Sequence, residues 1–305
     1  MSAVWDSDVE VTIDEAQQII SEQFPILEPV ITKESGEGWD NKVFVVNESV
    51  IFRFPRRKMA VPLLARENRW LPQLKQHLHS DIQISAPIYI GQPSSKFPYP
   101  FTGYPLIKGV STNEREIRVE DRGPIVEDIA LFLKALHQVP SRHFHGIIGD
   151  EIGRLDVHAK KTAVIQRLEW MEENEVIDSR IPFLAMIQIA ANTSVTARNT
   201  LVHGDFYFRN FLIRDDLRLA GVIDFGDMHR GHRAVDLAVA YTFFPSYMRE
   251  RFFSLYGAID KETESLAMFR GLHVMCYLFF YGMDKQDEGI IREAKVGLAN
   301  LISNH

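Results

Sequence analysis

With 305 residues, 46% of them hydrophobic and 25% charged, the chain can bury a sizeable core and is too apolar for intrinsic disorder. Its formal net charge of -7 argues against a basic footprint for nucleic acid or for an anionic membrane surface. The single cysteine, Cys276, excludes an internal disulfide framework and fits a reducing compartment.

The first residues carry Asp6, Asp8, Glu10, Asp14 and Glu15 with neither a basic region nor an apolar core, so no signal peptide is expected. Ile13, Ala16, Ile19 and Ile20 recur at helical spacing and predict a helix over 12–24, capped by Asp8 or Thr12. Ser35-Gly36-Glu37-Gly38 reads as a turn, followed by strands over 43–46 and 50–54. In the second strand Val50, Phe52 and Phe54 share one face, which leaves Ile51 and Arg53 on the other. A helix over 60–78 aligns Leu64, Leu71, Leu74 and Leu78, and Glu67 falls on the same stripe. An inward carboxylate needs a partner, and the unexplained charge of Arg53 is the natural one. The alternative is an edge-strand Arg53 and a Glu67 that reaches out to water.

Strands follow over 82–84, 88–90 and 101–107, and at 108–111 the character of the chain changes. Helices are predicted at 125–136, 158–171 and 182–195. Two short strands between 201 and 227 interrupt them, and helices resume at 234–244, 246–256, 261–281 and 288–303. The apolar run around Cys276 is too short to span a bilayer and reads as a buried helix, with the thiol as a small buried hydrophobe. The expected location is cytoplasmic. The expected architecture is α+β and two-lobed: an antiparallel-sheet lobe over 1–107, a crossing strand near 104–108, and a mostly helical lobe over 108–305, with ligands taken at the junction.

The chemistry concentrates in Leu201-Val202-His203-Gly204-Asp205 through Asn210, and in Ile223-Asp224-Phe225-Gly226-Asp227. An Asp with an Asn five positions on, then an Asp in an Asp-Phe-Gly tripeptide, is the spacing by which kinases place one base and two metal ligands. Asp205 would take or orient the proton of an acceptor hydroxyl. Asn210 and Asp224 offer hard oxygens to Mg²⁺. His203 is expected to brace the loop. Arg209 is open to a phosphate or to the acceptor, and Asp227 and Asp236 to the metal shell or to loop bracing. The basic cluster His229, Arg230, His232 and Arg233 reads as phosphate binding or as a solvated loop.

Together with Ala234-Val235-Asp236-Leu237-Ala238 and Gly38-Trp39-Asp40-Asn41-Lys42-Val43-Phe44-Val45, these motifs resemble the aminoglycoside phosphotransferase group of antibiotic kinases, which includes macrolide phosphotransferases and has a protein-kinase-like fold. The resemblance covers most of the chain. It implies Asp205 as catalytic base, Asn210 and Asp224 as Mg²⁺ ligands, and ATP or GTP as donor. Ser35, Gly36 and Gly38, within 35–41, would lie over the phosphates. Tyr104, Leu106 and Ile107 would form the hinge whose backbone meets the nucleotide base. Arg53 stands where the family has a phosphate-touching lysine, paired with Glu67; a guanidinium is a planar fork and an ammonium a point charge.

The resemblance makes the partner a small-molecule acceptor, an antibiotic, with no nucleic acid and no membrane. An aminoglycoside needs carboxylates, and Glu169, Glu172, Glu173, Glu175 and Asp178 form a local acidic cluster that also reads as a solvated helix face. A macrolide needs an apolar groove, and the C-terminal helices are dense in aromatic residues from Tyr241 to Tyr281. The aromatic density and the Gly38-Trp39-Asp40-Asn41 signature favour the macrolide type. A metabolic kinase for choline, a sugar or an amino-alcohol, and a non-catalytic nucleotide-binding regulator, are the alternatives; base and both metal positions are present, which disfavours the regulator.

Overall fold

The computed structural model describes residues 7–37 and 40–303, and the chain divides into two compact units. One unit takes the chain as far as His77, together with Gln83–Lys108 and Ile223–Asp227. The other takes Leu78–Ile82, Gly109–Val222 and the chain from Met228 onward.

In the first unit, helix α1 (Ile13–Gln23) starts at Thr12. The Thr12 hydroxyl accepts the Glu15 N–H at 3.3 Å and the Glu15 carboxylate accepts the Thr12 N–H at 2.8 Å, a reciprocal cap. Asp8, the other candidate cap, accepts the Lys58 N–H instead. Strands β1 (Thr32–Glu37), β2 (Asn41–Val46) and β3 (Val50–Pro55) are followed by helix α2 (Val61–His77), then β4 (Gln83–Ile84), β5 (Tyr89–Gly91) and β6 (Phe101–Pro105). Five of these strands form one antiparallel sheet in the order β1-β2-β3-β6-β5. Ala16, Ile19 and Ile20 of α1 join Phe44, Phe52, Phe54 and Phe101 in its core, where the Phe54 and Phe101 rings stack at 4.4 Å. Gly91 makes room for this packing: a Cβ there would come within 2.2 Å of the Phe101 ring.

The predicted turn at Ser35-Gly36-Glu37 is corrected: these residues end β1, paired with β2 across a register shift between Glu34 and Gly36. A bulge tolerates a Ser-Gly pair that reads as a turn in isolation. Gly38 and Trp39 lie outside the described residues.

The second unit is mainly helical: α3 (Gly123–Gln138), α4 (Val157–Glu173), α5 (Ile181–Ala191), α6 (Ala234–Thr242), α7 (Ser246–Tyr256), α8 (Lys261–Lys285) and α9 (Glu288–Ile302). Between α5 and α6 run β7 (Thr200–Val202), β8 (Phe211–Ile213), β9 (Leu219–Val222) and β10 (His229–Gly231), with β8 and β9 an antiparallel hairpin and β7 paired with β10. By length and composition α8 passes as a membrane span, but 67% of its apolar window is buried inside the fold, where it packs on α4, α5, α6 and α9 as a core helix.

The aromatic density of the C-terminal helices goes into this core. Tyr241, Phe243, Phe244, Phe252, Tyr256, Phe269, Phe279 and Tyr281 are buried, and Phe253, Tyr277 and Phe280 are half-buried. Cys276 is fully buried, and that burial pushes its thiol up to about 12. We expect no labelling of Cys276 by a thiol reagent in the native protein and one labelled thiol per chain in denaturant, read by mass spectrometry.

Candidate functional site

The loop that leaves β7 presents Asp205, and nearly every other polar group in it is tied down. The His203 and Gly204 N–H groups donate to the two carboxylate oxygens of Asp236 at 2.8 and 2.9 Å. Asp236 is fully buried at the start of α6, with His137 Nε2 3.0 Å away. The Asp205 N–H donates to His203 Nδ1 at 3.2 Å, which fixes the tautomer of that buried imidazole. Gly204 has φ +91°, a left-handed conformation that a side chain would strain. Asn210 closes the loop by donating from Nδ2 to the Asp205 carbonyl at 2.8 Å. The Asp205 side chain keeps 30% of its surface exposed.

Burial works to raise the Asp236 pKa, but the His137 hydrogen bond, the nearby His137 and His203 rings and the Gly204 N–H outweigh it and hold the carboxyl below its ordinary value. A depressed folded-state pKa contributes stability above the unfolded value, near 4, and that contribution is lost as pH falls through the folded value. Asp236→Asn is therefore expected to lower the melting temperature at neutral pH and to flatten its acid limb below about pH 4, measured by thermal denaturation across pH.

In the first unit a second network surrounds Asp224. Arg53, 18% exposed, donates from Nη1 to both oxygens of Glu67 at 3.1 and 2.9 Å and from Nη2 to Asp224 Oδ1 at 2.9 Å. Glu67, 2% exposed on the inner face of α2, also accepts the Tyr104 hydroxyl at 2.7 Å and the Phe225 N–H at 2.7 Å. Burial raises the Glu67 pKa and Asp224 adds to the rise, while Arg53, the Tyr104 hydroxyl and the Phe225 N–H work against it. Burial opposes the charge on Arg53 too, yet Asp224 and Glu67 push its pKa well above the ordinary value. Asp224 itself, 47% exposed, sits at φ +66°, a left-handed conformation uncommon outside glycine that concentrates at functional positions. Asp40, paired with Arg57, has its pKa raised by burial, with Asp224 and Asp227 adding to the rise.

The structure thus joins Arg53, Glu67, Tyr104 and Asp224 in one unit and Asp205 and Asn210 in the other. Ser35 and Gly36 lie in β1. Leu106 and Ile107 follow the end of β6, and the Leu106 N–H donates to the Ser49 carbonyl at 2.9 Å. Tyr104 enters through its side chain.

A family model for the phosphotransferase enzyme family matches residues 32–269. The chain belongs to that family. It is an enzyme, a phosphotransferase, with the family's kinase-like α+β fold. Among solved structures it is similar to the GDP and kanamycin complex of APH(2")-IIia, at 20% identity and TM-score 0.69 over 93% of this chain and 97% of that one. It is also similar to the streptomycin-ATP-APH(2")-IIa ternary complex, at 20% identity and TM-score 0.57 over 97% and 100%. Macrolide 2'-phosphotransferase MphH from Brachybacterium faecium, an apoenzyme, matches at 18% identity and TM-score 0.57 over 96% and 98%. At these identities the likeness is one of fold.

Two residues of the phosphotransferase that flank Asp205 escape a sequence reading by motif. Arg270 of α8 places Nη2 3.7 Å from Asp205 Oδ1 and donates to the Gly204 carbonyl at 3.4 Å, and Arg154 Nε donates to the same carbonyl at 3.0 Å. For Arg270 the available signal was a charge inside an apolar helix, as a charge on a strand face had exposed Arg53. Arg209 lies with its guanidinium 5.4 Å from the Tyr281 ring centre. His232 is buried 3.3 Å from Glu262, and His229 is buried in β10, so this basic cluster is largely part of the packed unit and is not a solvated loop.

Proposed function

We propose that this phosphotransferase moves the γ-phosphoryl group of ATP or GTP to a hydroxyl of a small acceptor, an antibiotic of macrolide type in preference to an aminoglycoside. The observation that carries the reading is the braced loop with Asp205 as its half-exposed end. A carboxylate held in this way suits orientation of an acceptor hydroxyl and acceptance of its proton. Asp205 is the catalytic base in this reading. The sheet unit serves the nucleotide: Arg53 meets its phosphates, 35–41 cover them, and the stretch from Tyr104 to Ile107 reads its base. The helical unit serves the acceptor.

Asn210 and Asp224 fit Mg²⁺ as hard oxygen donors. With Nδ2 given to the Asp205 carbonyl, Asn210 has Oδ1 as its cation-binding end, and Asp224 is a half-exposed carboxylate. Few protein ligands suffice, because Mg²⁺ completes its shell with phosphate oxygens and water. Held there, the ion would supply neutralisation of phosphate charge.

Charge supports the acceptor class. Arg270 and Arg154, the latter paired with Asp150 at 2.7 Å, set two guanidinium groups beside the Asp205 loop, which disfavours a polycation there. The acidic cluster that would serve an aminoglycoside is partly spent on Arg180, which lies 3.7 Å from Glu169 and 3.1 Å from Glu172. Consumption of ATP and of GTP by the purified chain with Mg²⁺ is the test. Erythromycin is expected to stimulate it more than kanamycin or choline. Stimulation by kanamycin or choline alone would replace the macrolide reading.

A further inference from the structure

Helices α4 and α8 pack together in the second unit, and their seam carries an excess of positive charge beside the Asp205 loop. Along α8, Arg270, His273, Val274 and Tyr277 recur at three and four residues and share a stripe. Arg270 starts it, 3.7 Å from Asp205 Oδ1, and the next three residues are only half-buried. From α4 come Lys160 and Arg167, two turns apart on one face. The Arg167 guanidinium lies 5.4 Å from the centre of the Tyr277 ring. Burial first, then Arg270, Lys160 and Arg167, hold the His273 pKa down to about 3, so the imidazole is neutral.

Two atoms of the seam, Arg167 Nη1 and His273 Nδ1, are shielded from solvent with no hydrogen-bond partner among the described residues. Lys160, by contrast, donates to the Ile152 carbonyl at 3.2 Å. A buried polar group left unpaired costs about 1–3 kcal/mol, and more when charged. Such a group calls for an explanation, and one that a functional partner supplies is among the candidates. At 1.5 Å per residue, His273 and Tyr277 lie about 5 and 10 Å along α8 from Arg270. That is the reach of a second functional group on an acceptor whose hydroxyl stands at Asp205.

We infer that Arg167 and His273 are specificity-determining residues that bind a carbonyl, ester or carboxylate oxygen of the acceptor against the Tyr277 ring, and that the cations of the seam turn away polyammonium acceptors. The inference rests on the reading of Asp205 as the point of phosphoryl transfer. It names what the acceptor must carry besides its hydroxyl: an electron-rich oxygen, either on a neutral lactone or on a carboxylate.

Steady-state kinetics of the full chain with Mg²⁺ and nucleotide separate these sources. The probes are erythromycin, a lactone; gluconate, a polyhydroxy carboxylate; and kanamycin, a polycation. Wild type is expected to prefer erythromycin or gluconate to kanamycin in kcat/KM. Arg167→Met should raise KM for the preferred acceptor roughly 10- to 100-fold with little change in kcat, the loss of a hydrogen bond from a charged donor. Arg167→Lys should recover part of that loss. His273→Phe, which fills the same space, should raise the same KM, and it decides the matter if Arg167→Met melts early. Preference for kanamycin overturns the inference. Turnover of erythromycin or gluconate with KM unchanged in the variants overturns it while the catalytic reading stands. If wild type phosphorylates none of the three, the inference falls; the reading of Asp205 falls with it only if choline in the same assay is not phosphorylated either.

Discussion

Asp205→Asn is expected to lower kcat for acceptor phosphorylation by about 10²–10⁴-fold, the range that a positioned general base contributes. The amide keeps the shape of the side chain but cannot take a proton. The Asp236 braces and the Asn210 bond to the Asp205 carbonyl use other atoms, so the loop should hold its form. The variant removes the charge opposite Arg270, a contact of 3.7 Å at a partly exposed carboxylate, and stability should shift by no more than about 1 kcal/mol. Nucleotide affinity, measured by titration of the same variant, should be unchanged. A fall in affinity matching the fall in kcat would point to lost folding instead of lost catalysis.

Arg53→Met is expected to be the most damaging substitution in the sheet unit. It strands Glu67, 2% exposed, and takes a cation from Asp224. Breaking a buried pair by removing one partner costs about 3–5 kcal/mol, because the charge left behind has no water. Thermal or urea denaturation should register that loss, and KM for nucleotide should rise. Arg53→Lys keeps the charge but loses the fork, and a single ammonium nitrogen cannot sit against both Glu67 and Asp224 as Nη1 and Nη2 do. We expect it to fold and to lose about half as much stability, roughly 2 kcal/mol. If Lys at this position matches wild type in both stability and KM, the fork geometry is incidental and only the charge matters.

How much of this was legible in the sequence depended on whether the signal was local. The pairing of Arg53 with Glu67 could be read because strand alternation and helical periodicity each put a charge on a face where charges do not belong. Asp224 as third member of that network could not be read, since 171 residues separate it from Arg53 and no local pattern carries so distant a contact. The Tyr104 hydroxyl was invisible for a related reason: β6 reads only as a strand, and nothing in it says that one ring tip reaches Glu67. Local pattern also misled twice. Ser35-Gly36-Glu37 has turn composition but is strand, because antiparallel pairing with β2 absorbs the irregularity as a bulge. The aromatic residues of α6 to α8 looked surplus to a helical core, yet most are buried, since α8 is covered by several helices and not by one layer. The support for a macrolide-type acceptor moved accordingly from apolar surface to charge.

The most direct test of the central claim, that Asp205 serves transfer of a phosphoryl group to an acceptor hydroxyl, is the mass of the acceptor after incubation with Mg²⁺ and ATP or GTP. Wild type is predicted to yield erythromycin carrying one phosphoryl group, and Asp205→Asn almost none over the same time. Phosphorylated acceptor formed equally fast by Asp205→Asn, or nucleotide consumed by wild type with no phosphorylated acceptor among erythromycin, gluconate, kanamycin and choline, would contradict the account.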